Sequence, residues 1–369
     1  MILFCAKAKK LRPKTGPFSF HVFKALIIWA GVLATCFCFP PAAPGDAKKP
    51  LGSGLLLPRD DAWLGADGAI SVPLAENLRL WLFGDTWLRH QDGTLKLVPN
   101  SVGVQEGECS DAFEPHWGQA STAAFGSTEP KGRWLWPAGG VLLQKGIFLV
   151  FHHMERRGPG PWDFAVLGSQ LVSIADARAP PCSWHMRSKR LPWTAEDFLP
   201  ACSPVIQGGY VLIFGTRSLG AQRGLFLARL EKRFFAGLEL ETGWEFWAGE
   251  KGWSVLLKEA QPLLEGVGTE VTVASDPRGQ GWIIVYSPGG ISPQIVLRRA
   301  PAPQGPWGKP QDLFTCPEAA SQSLYCYGAK FHPGCSSVGL WVTYSVNSKD
   351  GLFPGPDTAK PRWLLLPHP

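Results

Sequence analysis

Acid residues next to strand ends are the first places to look for chemistry, because paired carboxyl groups move protons to and from a substrate. Asp85 lies in Phe83-Gly84-Asp85-Thr86-Trp87, directly after the apolar run Leu80-Trp81-Leu82-Phe83. An acid there is either satisfied by backbone amides or functional, since an unpaired buried charge is costly. Asp67, in Trp63-Leu64-Gly65-Ala66-Asp67-Gly68, reads by itself as half of an Asp-Gly turn. Glu270, in Gly268-Thr269-Glu270-Val271-Thr272-Val273, reads by itself as a solvated residue at the start of a strand. Beside another carboxylate its pKa would rise, as a general acid requires.

Binding groups are sought among aromatic and amide side chains. Trp136 belongs to the dense patch Trp134-Leu135-Trp136-Pro137. Such faces pack against sugar C–H groups, and equally between sheets. His332 follows Tyr325-Cys326-Tyr327-Gly328-Ala329-Lys330-Phe331, Asn347 ends Tyr344-Ser345-Val346-Asn347, and Asn100 sits in Pro99-Asn100-Ser101. His152, His153 and Glu155 do not suggest a metal site, because adjacent strand residues point to opposite faces. There is no C-x-x-C spacing, no glycine-rich phosphate loop and no serine nucleophile elbow. No metal and no cofactor are therefore expected.

The elements that must carry these residues are strands. The chain has 42 Gly and 34 Pro, which punctuate short runs rich in Val, Ile, Phe and Trp. The strongest runs are Leu78–Trp87, Gly140–Phe151, Gly209–Thr216, Gly281–Ser287 and Val338–Val346. Their centres recur at roughly 60 to 70 residues, the mark of a repeated supersecondary unit. Three or four strands fit each interval, which predicts an all-β fold, a five-bladed β-propeller, in preference to a pair of β-sandwiches. Phe226 to Leu240 is the best helix candidate. Positions just past strand ends are where a propeller displays its chemistry, and Asp85 holds one of them.

The first 40 residues differ in kind. Lys7, Lys9, Lys10, Arg12, Lys14 and Lys24 precede an apolar run from Ala25 to Phe39, then Pro40 and Pro41. This order is read as a signal peptide or a membrane anchor, followed by a linker over 41–54, the propeller over 55–350 and a tail over 351–369. The protein is expected to be exported, in a periplasmic, extracellular or membrane-anchored location, with membrane contact only through the N-terminal segment. The whole chain is formally +6, and without the leader its 30 basic residues equal its 30 acidic ones. That balance lacks the basic field which nucleic-acid binding needs, so nucleic acid is excluded as a partner. Six cysteines lie beyond the leader. Cys182 with Cys202, and a pair among Cys316, Cys326 and Cys335, would close short loops as disulfides, with buried free thiols as the alternative.

Several motifs stand together in a familiar order: Leu80-Trp81-Leu82-Phe83-Gly84-Asp85-Thr86, Pro99-Asn100-Ser101, Trp134-Leu135-Trp136-Pro137, Gly305-Pro306-Trp307, Tyr327-Gly328-Ala329-Lys330-Phe331-His332-Pro333 and Tyr344-Ser345-Val346-Asn347. Over roughly residues 55–350 the chain resembles a family of exported five-bladed propellers long catalogued as a domain of unknown function. Some members of that family are endo-D-arabinanases, and it is distantly similar to the arabinanase and invertase-type glycosidases. The resemblance implies a glycoside hydrolase acting on an extracellular or envelope polysaccharide, with Asp67 and Asp85 matching the family's early acids and Glu270 a looser match. Asn100, Trp136, His332 and Asn347 are expected to contact substrate, and a polysaccharide or oligosaccharide is the expected partner. Gly328 departs from the pattern, which has Asn before Ala-Lys, so a contact at that position is not carried over. A non-catalytic glycan- or protein-binding propeller module of the cell envelope is the alternative.

Overall fold

The structure is a computed structural model, and it describes residues 49–368 apart from 91, 119–121, 127–131, 145, 161, 280 and 350–355. The expected leader over 1–40 lies outside the described residues. Pro44–Pro369 is one compact unit. Its architecture is all-β, built from antiparallel sheets that follow one another along the chain.

Sheet I contains Ile70–Ala75, Leu78–Phe83, Ser101–Glu106 and Glu114–His116. A small sheet of Trp63–Ala66, Thr86–Arg89 and Leu95–Val98 accompanies it. Sheet II contains Arg133–Leu143, Gly146–Arg156, Phe164–Ile174 and Met186–Thr194. Sheet III is built around Tyr210–Leu219 and Gln222–Glu231, with shorter strands such as Leu199–Pro200 and Val205–Gln207 at its edge. Sheet IV contains Val271–Ser275, Trp282–Tyr286, Gln294–Ala300 and Gln311–Thr315. Sheet V joins the ends of the unit: Leu324–Phe331, Gly339–Ser348 and Arg362–Pro367 are completed by Gly52–Leu55.

The strong apolar runs of the sequence are the second strands of these sheets. Trp282–Tyr286 and Gly339–Ser348 are buried along their whole length. Trp282–Tyr286 reads as a continuous apolar run because neighbouring sheets cover both faces. Separate hydrophobic cores lie between sheets I and II, II and III, III and IV, and IV and V. A further core joins sheet V back to the start through Trp341, Trp81, Phe83 and Trp63. The succession of sheets therefore closes on itself. The opening segments of the five large sheets line one axial cavity of about 470 Å³, which includes Val72, Val141, Val205, Val273 and Phe331.

Two expectations are corrected here. Gln222–Glu231 is a strand, and the helix is confined to Lys232–Gly237. The apolar residues from Phe226 to Leu230 pack on both faces of a sheet, which helical periodicity does not describe. Cys182 and Cys202 are not bonded: Cys182 is exposed and Cys202 is buried. The disulfides are Cys316–Cys326, within the expected trio, and Cys109–Cys335, which ties sheet I to sheet V across 226 residues of sequence. Gly52–Leu55 and Arg362–Pro367 pair with each other inside sheet V.

Candidate functional site

Asp67 and Asp85 are placed by a single local device. The chain crosses from the small sheet to sheet I through Asp67-Gly68, and crosses back from Leu78–Phe83 to Thr86–Arg89 through Gly84-Asp85. The registers agree on either side, with Ile70 opposite Leu82 and Ala66 opposite Thr86. Two backbone hydrogen bonds join the crossings: Gly84 N–H donates to Asp67 O at 2.9 Å, and Asp67 N–H donates to Asp85 O at 3.3 Å. Gly68 takes φ +67°, which glycine adopts without strain. A Cβ at Gly84 would collide with Asp67 Oδ1, so the missing side chain makes room for the carboxylate.

Both acids line a cavity of about 420 Å³, and Glu270, Trp136, Tyr327 and Asn347 line it with them. It takes the beginnings of strands whose further residues line the axial cavity. Trp136 precedes Gly140 and Val141 on Arg133–Leu143, and Glu270 immediately precedes Val271–Ser275. Aromatic rings form much of the wall. Trp136 meets Phe164 edge-on at 4.9 Å between centroids, Tyr325 lies 5.5 Å from Tyr327, and Trp162 comes within 6.4 Å of Tyr325.

The two aspartates are held protonated further up the pH scale than ordinary ones. Burial, then the neighbouring Asp67 charge, pushes Asp85 up to about 8, against the pull of Trp136 Nε1–H, which donates to Asp85 Oδ1 at 2.8 Å, and of Arg156. Burial also raises Asp67, to about 6, opposed chiefly by Tyr327 Oη–H, which donates to Asp67 Oδ2 at 2.7 Å. These adjacent acids titrate as a pair, so between those values they hold one proton between them. Glu270 is the opposite case. Burial pulls it upward, but the charge of Lys330, its hydrogen bond and the nearby His152 outweigh burial and hold Glu270 below its ordinary value. His152, bonded through Nδ1 to Ser169 Oγ at 2.9 Å, is lowered by burial to about 4.

Of the residues singled out from sequence, Asp67, Asp85, Glu270, Trp136 and Asn347 meet at this cavity. Asn100 and His332 do not line it. Asn100 is buried, donating to the carbonyls of Phe125 and Leu135 and accepting from Phe125 N–H. His332 is buried along the axis between Ser71 Oγ and Thr343 Oγ1, at 2.9 and 2.7 Å. Both have polar capacity that the fold itself uses. Sequence reasoning passed over Tyr327, Lys330 and Arg156. The first two lay inside a noted motif, but regular alternation would put them on opposite faces, and the register slip between them leaves no signal in the sequence. Among the described residues, the one cluster with metal-ligand geometry is Cys316, Glu318 and Cys326, whose thiols are joined in a disulfide.

The sequence profile described as "Domain of unknown function (DUF5005)" matches residues 55–360. The chain belongs to the DUF5005 family. No curated protein matches this DUF5005 chain in sequence. Among solved structures it is similar to a putative hydrolase from Bacteroides ovatus, with 16% identity, a TM-score of 0.63 and coverage of 85% of this chain and 87% of that one. It is also similar to a family 117 glycoside hydrolase from Zobellia galactanivorans, with 10% identity, a TM-score of 0.51 and coverage of 85% and 89%. A xylan β-1,4-xylosidase from Bacillus halodurans has 10% identity and a TM-score of 0.51, and the match covers 81% of this chain and 52% of that one. These likenesses place the DUF5005 chain in the β-propeller fold.

Proposed function

We propose that this DUF5005 protein is a five-bladed propeller glycoside hydrolase, exported by its basic and apolar leader, that cleaves an extracellular or envelope polysaccharide of arabinan-like type. The observation that carries the reading is the division of labour among its acids. Asp67 and Asp85 hold one proton between them, while Glu270 sits as a carboxylate in the same aromatic-walled cavity. Glycoside cleavage needs a proton donor to the leaving oxygen and a carboxylate that activates water or attacks the sugar. The aspartate pair supplies the donor, and Glu270 supplies the base or nucleophile. Trp136 and Tyr327 orient the aspartates and present ring surface to a sugar face. The two disulfides suit an oxidising compartment. Among the described residues no helix is long and apolar enough to cross a membrane. The names of the similar structures support hydrolysis of glycosides as the activity to test first.

The test is incubation of the purified protein with a panel of plant, algal and bacterial polysaccharides, measuring released reducing ends. Release from a furanose polymer such as arabinan is expected. Saturable binding without release from any member would favour the glycan-binding module, for which the aromatic walls alone are sufficient.

A further inference from the structure

The opening strand of sheet V, Leu324–Phe331, is irregular where it passes the site. Its pairing with Gly339–Ser348 slips between Tyr327 and Lys330, and Gly328 within the slip takes φ +63°. Bulges of this kind re-aim a side chain. Here Lys330 Nζ is brought against the Glu270 carboxylate and donates to Gly328 O at 3.2 Å. The Lys330 side chain is 3% exposed, whereas that of Glu270 is 42% exposed. Glu270 is the acid with which Lys330 forms an ion pair among the described residues. A Cβ at Gly328 would lie 3.2 Å from Glu270 Oε2 and 3.4 Å from Lys330 Nζ, so glycine also leaves space against the pair.

We infer that Lys330 is a positioning residue that fixes Glu270 as the ionised carboxylate of the site and so leaves proton donation to Asp67 and Asp85. Its catalytic consequence rests on the hydrolase reading; its electrostatic content does not. A carboxylate that accepts a hydrogen bond from an adjacent cation is favoured in its charged form. The other charged or titratable groups that act on Glu270 are few. His152, on Gly146–Arg156, favours its charge. Asp67 opposes it, because the two acids repel, and Tyr327 stands nearby on the same strand as Lys330. Lys330 is the one that touches it and the larger of the two favourable influences. Removing it takes away the cation that touches Glu270 and the larger of the influences that favour its charge.

The experiment titrates Glu270 directly, by carboxyl carbon NMR on the full-length protein, with the resonance assigned by its absence in Glu270→Gln. In wild type the midpoint is expected below the ordinary value of about 4.3. In Lys330→Met it is expected to rise by at least about one unit, and Lys330→Arg is expected to recover most of that rise. With an active polysaccharide, the acid limb of kcat moves upward by the same amount in Lys330→Met, with less change in KM. A wild-type midpoint at or above the ordinary value overturns the inference, even if Lys330→Met does not fold. An unchanged midpoint in a folded Lys330→Met variant also overturns it. If no polysaccharide is cleaved, the titration still decides the role of Lys330, so the two readings fail separately.

Discussion

In the proposed hydrolase Asp85 is the proton-donating side of the aspartate pair, and Trp136 donates a hydrogen bond to it. The indole N–H stabilises the ionised form of Asp85 and so lowers a pKa that burial has raised to about 8. Trp136→Phe removes the donor and keeps an aromatic wall. The proton on the aspartate pair is then lost at higher pH, and the alkaline limb of the rate profile should move up by about half a unit to one unit. A limb that stays in place would assign the proton to another group. Stability follows the same sign. An acid whose folded pKa is raised adds stability below its unfolded pKa of about 4, and that stability is lost as the pH rises through about 8. Asp85→Asn abolishes this loss, so its melting temperature relative to wild type should climb between pH 4 and pH 9 in a thermal scan. A constant difference across that range would contradict the raised value.

At the scale of elements, the site depends on two chain crossings held side by side. Gly84 is their pivot, since its amide bonds Asp67 O and its missing side chain admits the Asp67 carboxylate. Gly84→Ala should displace that carboxylate and lower turnover by at least about tenfold, because a misplaced group loses much of its effectiveness. Circular dichroism should show the sheets retained. Unchanged turnover would mean that Asp67 need not occupy this place. Part of this arrangement was legible in the sequence. Asp85 stood out because it follows an apolar strand so closely, and the Gly before it marked a turn. Asp67 was less legible, since an Asp-Gly pair looks the same whether it faces solvent or a second acid. Asn100 and His332 looked like binding groups because both are polar among apolar residues. That same setting makes them hydrogen-bond anchors, for Phe125 and Leu135 in one case and for Ser71 and Thr343 in the other.

At the scale of the molecule, the sheets must close for the strand ends to converge. Closure uses the antiparallel pairing of Gly52–Leu55 with Arg362–Pro367, the core joining sheet V to sheet I, and Cys109–Cys335. Replacing Cys109 and Cys335 together by Ser should cost about 2–5 kcal/mol of stability, read by urea unfolding of the oxidised wild type and the double variant. No measurable loss would mean that strand pairing and the core close the unit by themselves. The recurrence of sheets was visible in the spacing of their second strands, whose apolar runs are buried between neighbouring sheets. Closure was not visible, because partners 226 residues apart leave no local signal. The Phe226 to Leu230 run was misjudged for a related reason, since an apolar stretch covered on both faces lacks the alternation that distinguishes a strand from a helix.

The measurement that bears most directly on the account is reducing-end release by wild type and Asp85→Asn, at matched concentration, from whichever polysaccharide the panel shows to be cleaved. The proton donor is removed while the shape of the side chain is kept. Turnover is expected to fall by about 10² to 10⁴-fold, with no fall in melting temperature and little change in KM. An Asp85→Asn protein that keeps wild-type turnover would contradict the account.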